Sequence, residues 1–489
     1  MRRLLPFILL LLFLASCDRS QAPFTPGVLY KVTTEDSEGF ATFTKSGWKS
    51  WKGTLYEDTG VLYASKKDVK LKAGKDITLE SGDEKITVLS YAPYEAPLFQ
   101  EFPKTWEYTD SVYAVKEIDD IKYGQARGFW TSYPDTGESF VAIYMSKLFE
   151  KDQKDLDLKL DLYLPEDNGS ATRPLLVLIH GGAFYNGDKK DPGYQEWARY
   201  FAGTGYVVAS VNYRLGFSLF FPTERAGFRA VQDVNAAIRY LVHHKNKYLI
   251  DPKRVFVAGT SAGGITALNL AFLTDDDRPE KAKKDGLITD VNPTLTDHFS
   301  IRAVGNMWGA VNDVKILSNN RTHVVSFHSS GDPIVPFASD HPFTKVIGNE
   351  IMFPVMYGSK YITETVGTSR TKLYAYDLPG IHNLHVDRDK HTGKETLNGR
   401  FFEIERGMRD FFSAVMLPHP FRPAHQEENS QTFTYDKNDI ASIYWKVDGG
   451  VLLSQDDGSV RVLFFPGTEP SLTASGTYKS GLTFYKECF

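Results

Sequence analysis

The segment from Val255 to Leu268 constrains this chain more than any other, because an apolar run there breaks directly into Gly259-Thr260-Ser261-Ala262-Gly263. Val255 to Ala258 reads as a strand buried on both faces, and Gly264-Ile265-Thr266-Ala267-Leu268 reads as the start of a helix. A strand can pass into a helix over so few residues only through a sharp turn. Glycines are needed on either side of Ser261, since side chains there would collide with the neighbouring strand and helix. Alone, the pentapeptide is common and marks plain loops. Between a buried strand and a helix it predicts a turn that lifts a serine hydroxyl to the sheet edge, with the helix N-terminus aimed at it.

The surrounding pattern agrees with that placement. Leu156, Leu158, Leu160, Leu162 and Leu164 alternate strictly and predict a half-buried strand ending at Pro165. Leu175 to Ile179 and most of Val207 to Val211 are continuously apolar, as strands of a parallel sheet covered on both faces would be. Ala230, Val231, Val234, Ala237, Ile238 and Leu241 recur at helical spacing. Further strands are expected at Ala303 to Met307, Val324 to Phe327 and Leu373 to Tyr376, and an amphipathic helix over about Arg400 to Met416. Alternating strands and helices of this kind predict an α/β domain with a mostly parallel sheet over about residues 120–417.

The ends of the 489-residue chain read differently. Residues 24–115 are β-rich, with alternations such as Val69-Lys70-Leu71-Lys72 between Gly and Asp turn signals. Past Pro418, Pro420 and Pro423, residues 430–489 return to short strands and predict a small β-sandwich. Its Tyr444-Trp445-Lys446-Val447 and Gly449-Gly450 resemble the start of PKD or other immunoglobulin-like modules. At the N-terminus, Arg2 and Arg3 precede an apolar run from Leu4 to Ala15, right for a signal peptide and too short for a membrane span. It ends in Leu14-Ala15-Ser16-Cys17, which resembles the bacterial lipobox. Residues 1–17 are therefore expected to be a lipoprotein signal peptide, with Cys17 lipidated and the protein held on a membrane of the bacterial cell envelope. Cys488 then has no disulfide partner. A net charge of -5 without a basic cluster argues against a nucleic-acid partner.

Two more segments carry chemistry. His180-Gly181-Gly182-Ala183-Phe184 follows the strand Leu175 to Ile179, and a Gly-rich turn there can present backbone N–H groups to an oxyanion. With these residues, Val211-Asn212-Tyr213-Arg214-Leu215-Gly216, Gln232-Asp233-Val234, and Asp251-Pro252 before Gly259 to Gly264, the run from about 156 to 416 resembles the carboxylesterase and hormone-sensitive-lipase-like branch of the α/β-hydrolases. The resemblance implies an α/β-hydrolase fold and a serine esterase that uses no metal or cofactor. It also implies oxyanion donors at the N–H groups of Gly182, Ala183 and Ala262, with Ala183 standing where that family often has Gly.

The fold orders its triad as serine, acid, histidine. Val324 to Phe327 leads into His328-Ser329-Ser330-Gly331-Asp332-Pro333-Ile334-Val335-Pro336, which has the character of the family's acid loop. Asp332 is the expected acid, and Asp313, one strand earlier, its rival. After Leu373 to Tyr376 come His382 and His385; the family's loop length favours His382. The same two histidines could be read as a metal pair, but no third ligand is indicated. The expected activity is hydrolysis of a small or polymer-linked ester through an acyl-enzyme on Ser261. The rivals are a peptidase or amidase of the same fold, and a binding lipoprotein whose hydrolase domain is inactive.

Overall fold

The computed structural model describes the chain from residue 25 onward, except residues 26–27, 35–37, 46–49, 59–65, 74–76, 82–83, 103–107, 109, 133–152, 167–171, 218–221, 390, 393, 417–421, 427–429, 436, 438–439, 457, 466–467, 480–482 and 489. The expected signal peptide and Cys17 lie outside the described residues. The chain divides into two compact units, one of residues 103–419 with 480–482, the other of residues 1–102, 420–479 and 483–489.

The second unit is made from both chain ends. Strands β1 (Leu29–Thr34), β2 (Glu38–Lys45), β3 (Ser50–Asp58), β4 (Lys66–Ala73), β5 (Ile77–Ser81) and β6 (Glu84–Pro93) close an antiparallel barrel, with β6 pairing back on β1. The C-terminal strands are β15 (Arg422–Gln426), β16 (Ser430–Thr434), β17 (Ile440–Asp448), β18 (Gly450–Asp456), β19 (Ser459–Phe464), β20 (Ser471–Tyr478) and β21 (Thr483–Glu487). They form two antiparallel sheets, β15-β16-β19-β18 and β17-β20-β21. Phe433, Trp445, Val460, Val462, Leu472 and Phe484 fill the core of this module. Phe40 packs with Val451 and Leu463, so barrel and C-terminal module share a small apolar cluster.

The first unit carries an eight-stranded sheet: β7 (Ala114–Gly128), β8 (Lys154–Glu166), β9 (Arg173–Ile179), β10 (Val207–Val211), β11 (Ile250–Thr260), β12 (Ile301–Met307), β13 (His323–Ser329) and β14 (Thr371–Tyr376). Their spatial order is β14-β13-β12-β11-β9-β10-β8-β7. All neighbours from β10 to β14 run parallel, while β8 pairs antiparallel with both β7 and β10. This is the α/β-hydrolase arrangement.

Period-2 alternation sorts the strand residues between the two faces. Val177, Val257, Leu158, Leu160 and Leu162 join one core with helix α2 (Thr223–His243) and helix α3 (Ala262–Phe272). Phe256, between Val255 and Val257, faces the other way. There it meets Phe412 of α5 (Gly399–Met416) at 5.0 Å, and Phe412 meets Phe201 of α1 (Pro192–Gly203) at 6.3 Å. The α4 helix (Ser359–Val366) lies in the insertion between β13 and β14. The parallel strands all end on one edge, and the expected site residues follow β9, β11, β13 and β14 at that edge.

Candidate active site

The turn after β11 is set by backbone crowding. A Cβ on Gly263 would lie 2.0 Å from the Ile179 carbonyl oxygen, and one on Gly259 would lie 2.4 Å from the Gly263 carbonyl carbon. No side chain larger than hydrogen fits either position. Ser261 itself sits at φ 52°, ψ −117°, a conformation non-glycine residues seldom adopt. Its amide donates to Met307 O at 2.8 Å and its carbonyl accepts from Ile265 N at 2.9 Å. Beneath it, the Tyr194 hydroxyl lies 2.7 Å from Thr260 Oγ1 and donates to Ile179 O at 3.1 Å, tying the turn to β9.

The structure brings three of the expected residues into line. His382 Nε2 lies 2.9 Å from Ser261 Oγ, and His382 Nδ1 lies 2.7 Å from Asp332 Oδ2. Asp332 is fully buried at its side chain, and its other oxygen accepts from the amides of Ile334 (2.8 Å) and Val335 (3.1 Å). Burial alone would raise the Asp332 carboxyl. Hydrogen bonds from His328 and His382, with the attraction of both rings, outweigh that and hold it below the usual carboxylate range. Asp332 is therefore an anion beside the imidazole.

The rival residues sit elsewhere. Asp313 is exposed and caps a short helical turn, accepting from Lys315 N at 2.9 Å. His385 stacks among aromatics, 5.2 Å from the Trp308 ring and 5.7 Å from the Trp197 ring, and its Nδ1 has no hydrogen-bond partner among the described residues. Burial, then the neighbouring His382, push its imidazole down to about 4, so it is neutral at ordinary pH.

The Gly-rich turn after β9 holds Gly182, Ala183 and Phe184 at φ 101°, 54° and 57°. The carbonyl of Gly182 takes the amides of Tyr185 and Asn186, both at 2.9 Å. No described hydrogen bond engages the amides of Gly182, Ala183 or Ala262. Ala183 and Ala262 line the same cleft as Ser261. That cleft is walled mainly by Phe184, Phe228, Ile265, Leu273, Phe343 and Phe353. The geometry provides a serine hydroxyl, a base held by a carboxylate, free amide donors and an apolar pocket at one point.

Residues 160–346 match the protein-family model described as BD-FAE. The chain is similar to arylacetamide deacetylase-like 2 of Homo sapiens, 29% identical over 246 residues that cover 46% of this chain and 56% of that protein. It is also similar to esterase LipC of Mycobacterium tuberculosis, 26% identical over 240 residues, 45% of this chain and 55% of that one. The chain thus spans a little over half the length of these curated relatives. Among solved structures, the apo form of Thermogutta terrifontis esterase 2 aligns with a TM-score of 0.37 at 19% identity, covering 53% of this chain and 91% of that one.

Three residues around the site escaped the sequence reading. Tyr194 comes from α1, a helix whose sequence carries no site motif. Trp308 follows β12 at φ 46°, fully buried, with its ring edge-on to His382 at 6.4 Å between centroids. His328 stands in plain view in the acid loop, where it reads only as the end of a strand. A histidine directly after the run Val324 to Phe327, four residues before the acid, was the available signal.

Proposed function

We propose that this chain is a serine carboxylic ester hydrolase acting through an acyl-enzyme on Ser261. The observation that carries the reading is the continuous line from Asp332 through His382 to Ser261 Oγ, opening on a cleft with unused amide donors. His382 Nε2 takes the hydroxyl proton as Ser261 Oγ attacks the ester carbonyl, while Asp332 holds Nδ1–H and stabilises the imidazolium. The amides of Gly182, Ala183 and Ala262 receive the oxyanion. The imidazolium returns its proton to the departing alkoxide. Water, activated by the same ring, then releases the acid and regenerates the serine.

The apolar, phenylalanine-lined cleft supports an acyl or alcohol group of apolar character. The flanking β-modules support a substrate in which that group is attached to a polysaccharide, and the lipobox-like Leu14 to Cys17 supports a lipid-anchored, exported enzyme. The deciding experiment is labelling by a fluorophosphonate probe together with turnover of p-nitrophenyl, acetyl-xylan and feruloyl esters. Wild type should be labelled and turn over ester, and Ser261→Ala should lose about 10⁶-fold in kcat while remaining folded. A Ser261→Ala protein with several per cent of wild-type activity would overturn the assignment. Cys17→Ser should move the protein from the membrane pellet to the soluble exported fraction.

A further inference from the structure

Asp332 is gripped from two sides, and only one grip belongs to the triad. Behind it stands His328 of β13, fully buried. Its Nε2 lies 3.1 Å from the Val335 carbonyl oxygen and 3.4 Å from Asp332 Oδ2, the oxygen that also meets His382. A carbonyl can only accept, so Nε2 carries the proton. The opposite nitrogen, Nδ1, lies 2.8 Å from Ser359 Oγ, at the first residue of α4. Ser359 Oγ in turn lies 3.1 Å from Asn306 Nδ2. The orientation of Asn306 follows from Gly309, whose amide donates to Asn306 Oδ1 at 2.9 Å. The Asn306 amide nitrogen therefore donates to Ser359, whose own proton is left for His328 Nδ1.

We propose that Asn306, Ser359 and His328 form a positioning relay behind Asp332, one that fixes the carboxylate and the strength of its bond to His382. The relay rests on reading Ser261, His382 and Asp332 as the catalytic machinery, and it adds a connection. Ser359 belongs to the insertion between β13 and β14, the same insertion that supplies Phe343 and Phe353 to the cleft. The part of the chain that shapes the pocket thus also sets the tautomer of the imidazole behind the triad acid.

The consequences have a definite sign. Asp332 Oδ1 is held by two backbone amides, and Oδ2 divides its charge between His328 and His382. Removing the His328 proton donor concentrates that charge on His382, so the imidazole keeps its proton to higher pH. It also frees the carboxylate to turn, which lowers turnover. Other groups facing these rings do not cancel the effect. His382 meets Asp332, Ser261, the neutral His385 and the uncharged edge of Trp308; His328 meets Asp332, Ser359 and the ring of Phe337 at 5.6 Å.

The test is the pH profile of kcat/KM on p-nitrophenyl acetate for His328→Phe, His328→Gln and Ser359→Ala, with Tm measured on each. His328→Phe keeps a ring and removes both nitrogens. It should lower kcat by about 10- to 100-fold with KM little changed and move the acid limb to higher pH. His328→Gln restores a donor and should recover most of both effects. Ser359→Ala touches neither Ser261 nor His382 yet should move the acid limb in the same direction by less. Acid limbs superimposable on wild type in His328→Phe and Ser359→Ala, with turnover following Tm alone, would reduce the relay to packing and overturn the proposal. An inactive, unlabelled wild type would instead overturn the esterase reading. The relay is then read by NMR titration of the His382 ring, whose midpoint should still rise in His328→Phe and whose constancy would overturn it.

Discussion

Two turns at the same sheet edge, one after β11 that delivers Ser261 and one after β14 that delivers His382, are held by different physics. Around Ser261 the backbone has one arrangement. Gly259 and Gly263 lie so close to β9 and to each other that any Cβ would overlap backbone atoms, and the strained φ of Ser261 is locked by bonds to Met307 and Ile265. In the turn after β14, Gly380 has nothing nearer to its missing Cβ than Lys345 Nζ at 4.0 Å. There the side chains choose. Leu384 buries completely, His385 enters the aromatic layer of Trp197 and Trp308, and His382 is left to reach Asp332 and Ser261. The first turn is specified by residue types next to one another in sequence. The second is specified by partners 50 and 121 positions away.

The contrast is most directly broken at the histidines. His382→Ala should cost about four to six orders of magnitude in kcat, because the base is removed with nothing to replace it. His385→Phe keeps the stacking and should leave kcat close to wild type. Collapse of turnover in the second variant and survival in the first would exchange their roles. At the rigid turn, Gly263→Ala must push against the carbonyls of Ile179 and His180 and should destabilise the unit by about 3 kcal/mol or more, read from urea unfolding. A variant of unchanged stability would show that the turn is softer than its crowding indicates.

Acid tests the other side of the comparison. His180 and His385 are both pushed down to about 4, burial being the first cause for each. Between pH 6.5 and 4 the unfolded chain binds protons that the native rings do not, so the stability tied to neutral rings is full above 6.5 and lost as pH falls toward 4. At 1.36 kcal/mol per unit this is about 3 kcal/mol for His180, and less for the partly covered His385. His385→Phe should flatten the fall of Tm between pH 6.5 and 4.5; an identical slope would show that His385 does not resist protonation. The smallest effect is expected at Ala183. Its φ of 54° is strained for a residue with a Cβ, and Ala183→Gly relieves that strain while loosening the unfolded chain. A gain of at most about 1 kcal/mol with unchanged kcat should result. A loss of that size would show that the methyl group packs usefully.

Legibility followed the same division. The apolar runs at Leu175 to Ile179, Val207 to Val211 and Ala303 to Met307 emerged as central strands because a strand buried on both faces has few sequences open to it. The strand β7 drew no expectation of its own, although it pairs with β8 along its length, since an edge strand with one wet face carries a weak pattern. Tyr194 and Trp308 gave no signal, being ordinary core aromatics until the fold sets them beside the turn and the imidazole.

By itself the sequence determined the alternation of strand and helix, the sharp turn at Ser261 and the short choice of acid and base. These depend on neighbours within a few residues, where hydrophobic period and steric exclusion act directly. Only the tertiary structure set His382 between Asp332 and Ser261 with Asp313 and His385 elsewhere, joined the two chain ends into one unit, and set Asn306, Ser359 and His328 behind Asp332. Each of these depends on groups far apart in the chain meeting at about 3 Å, and a hydrogen bond is decided by where its partner lies rather than by the residue that makes it.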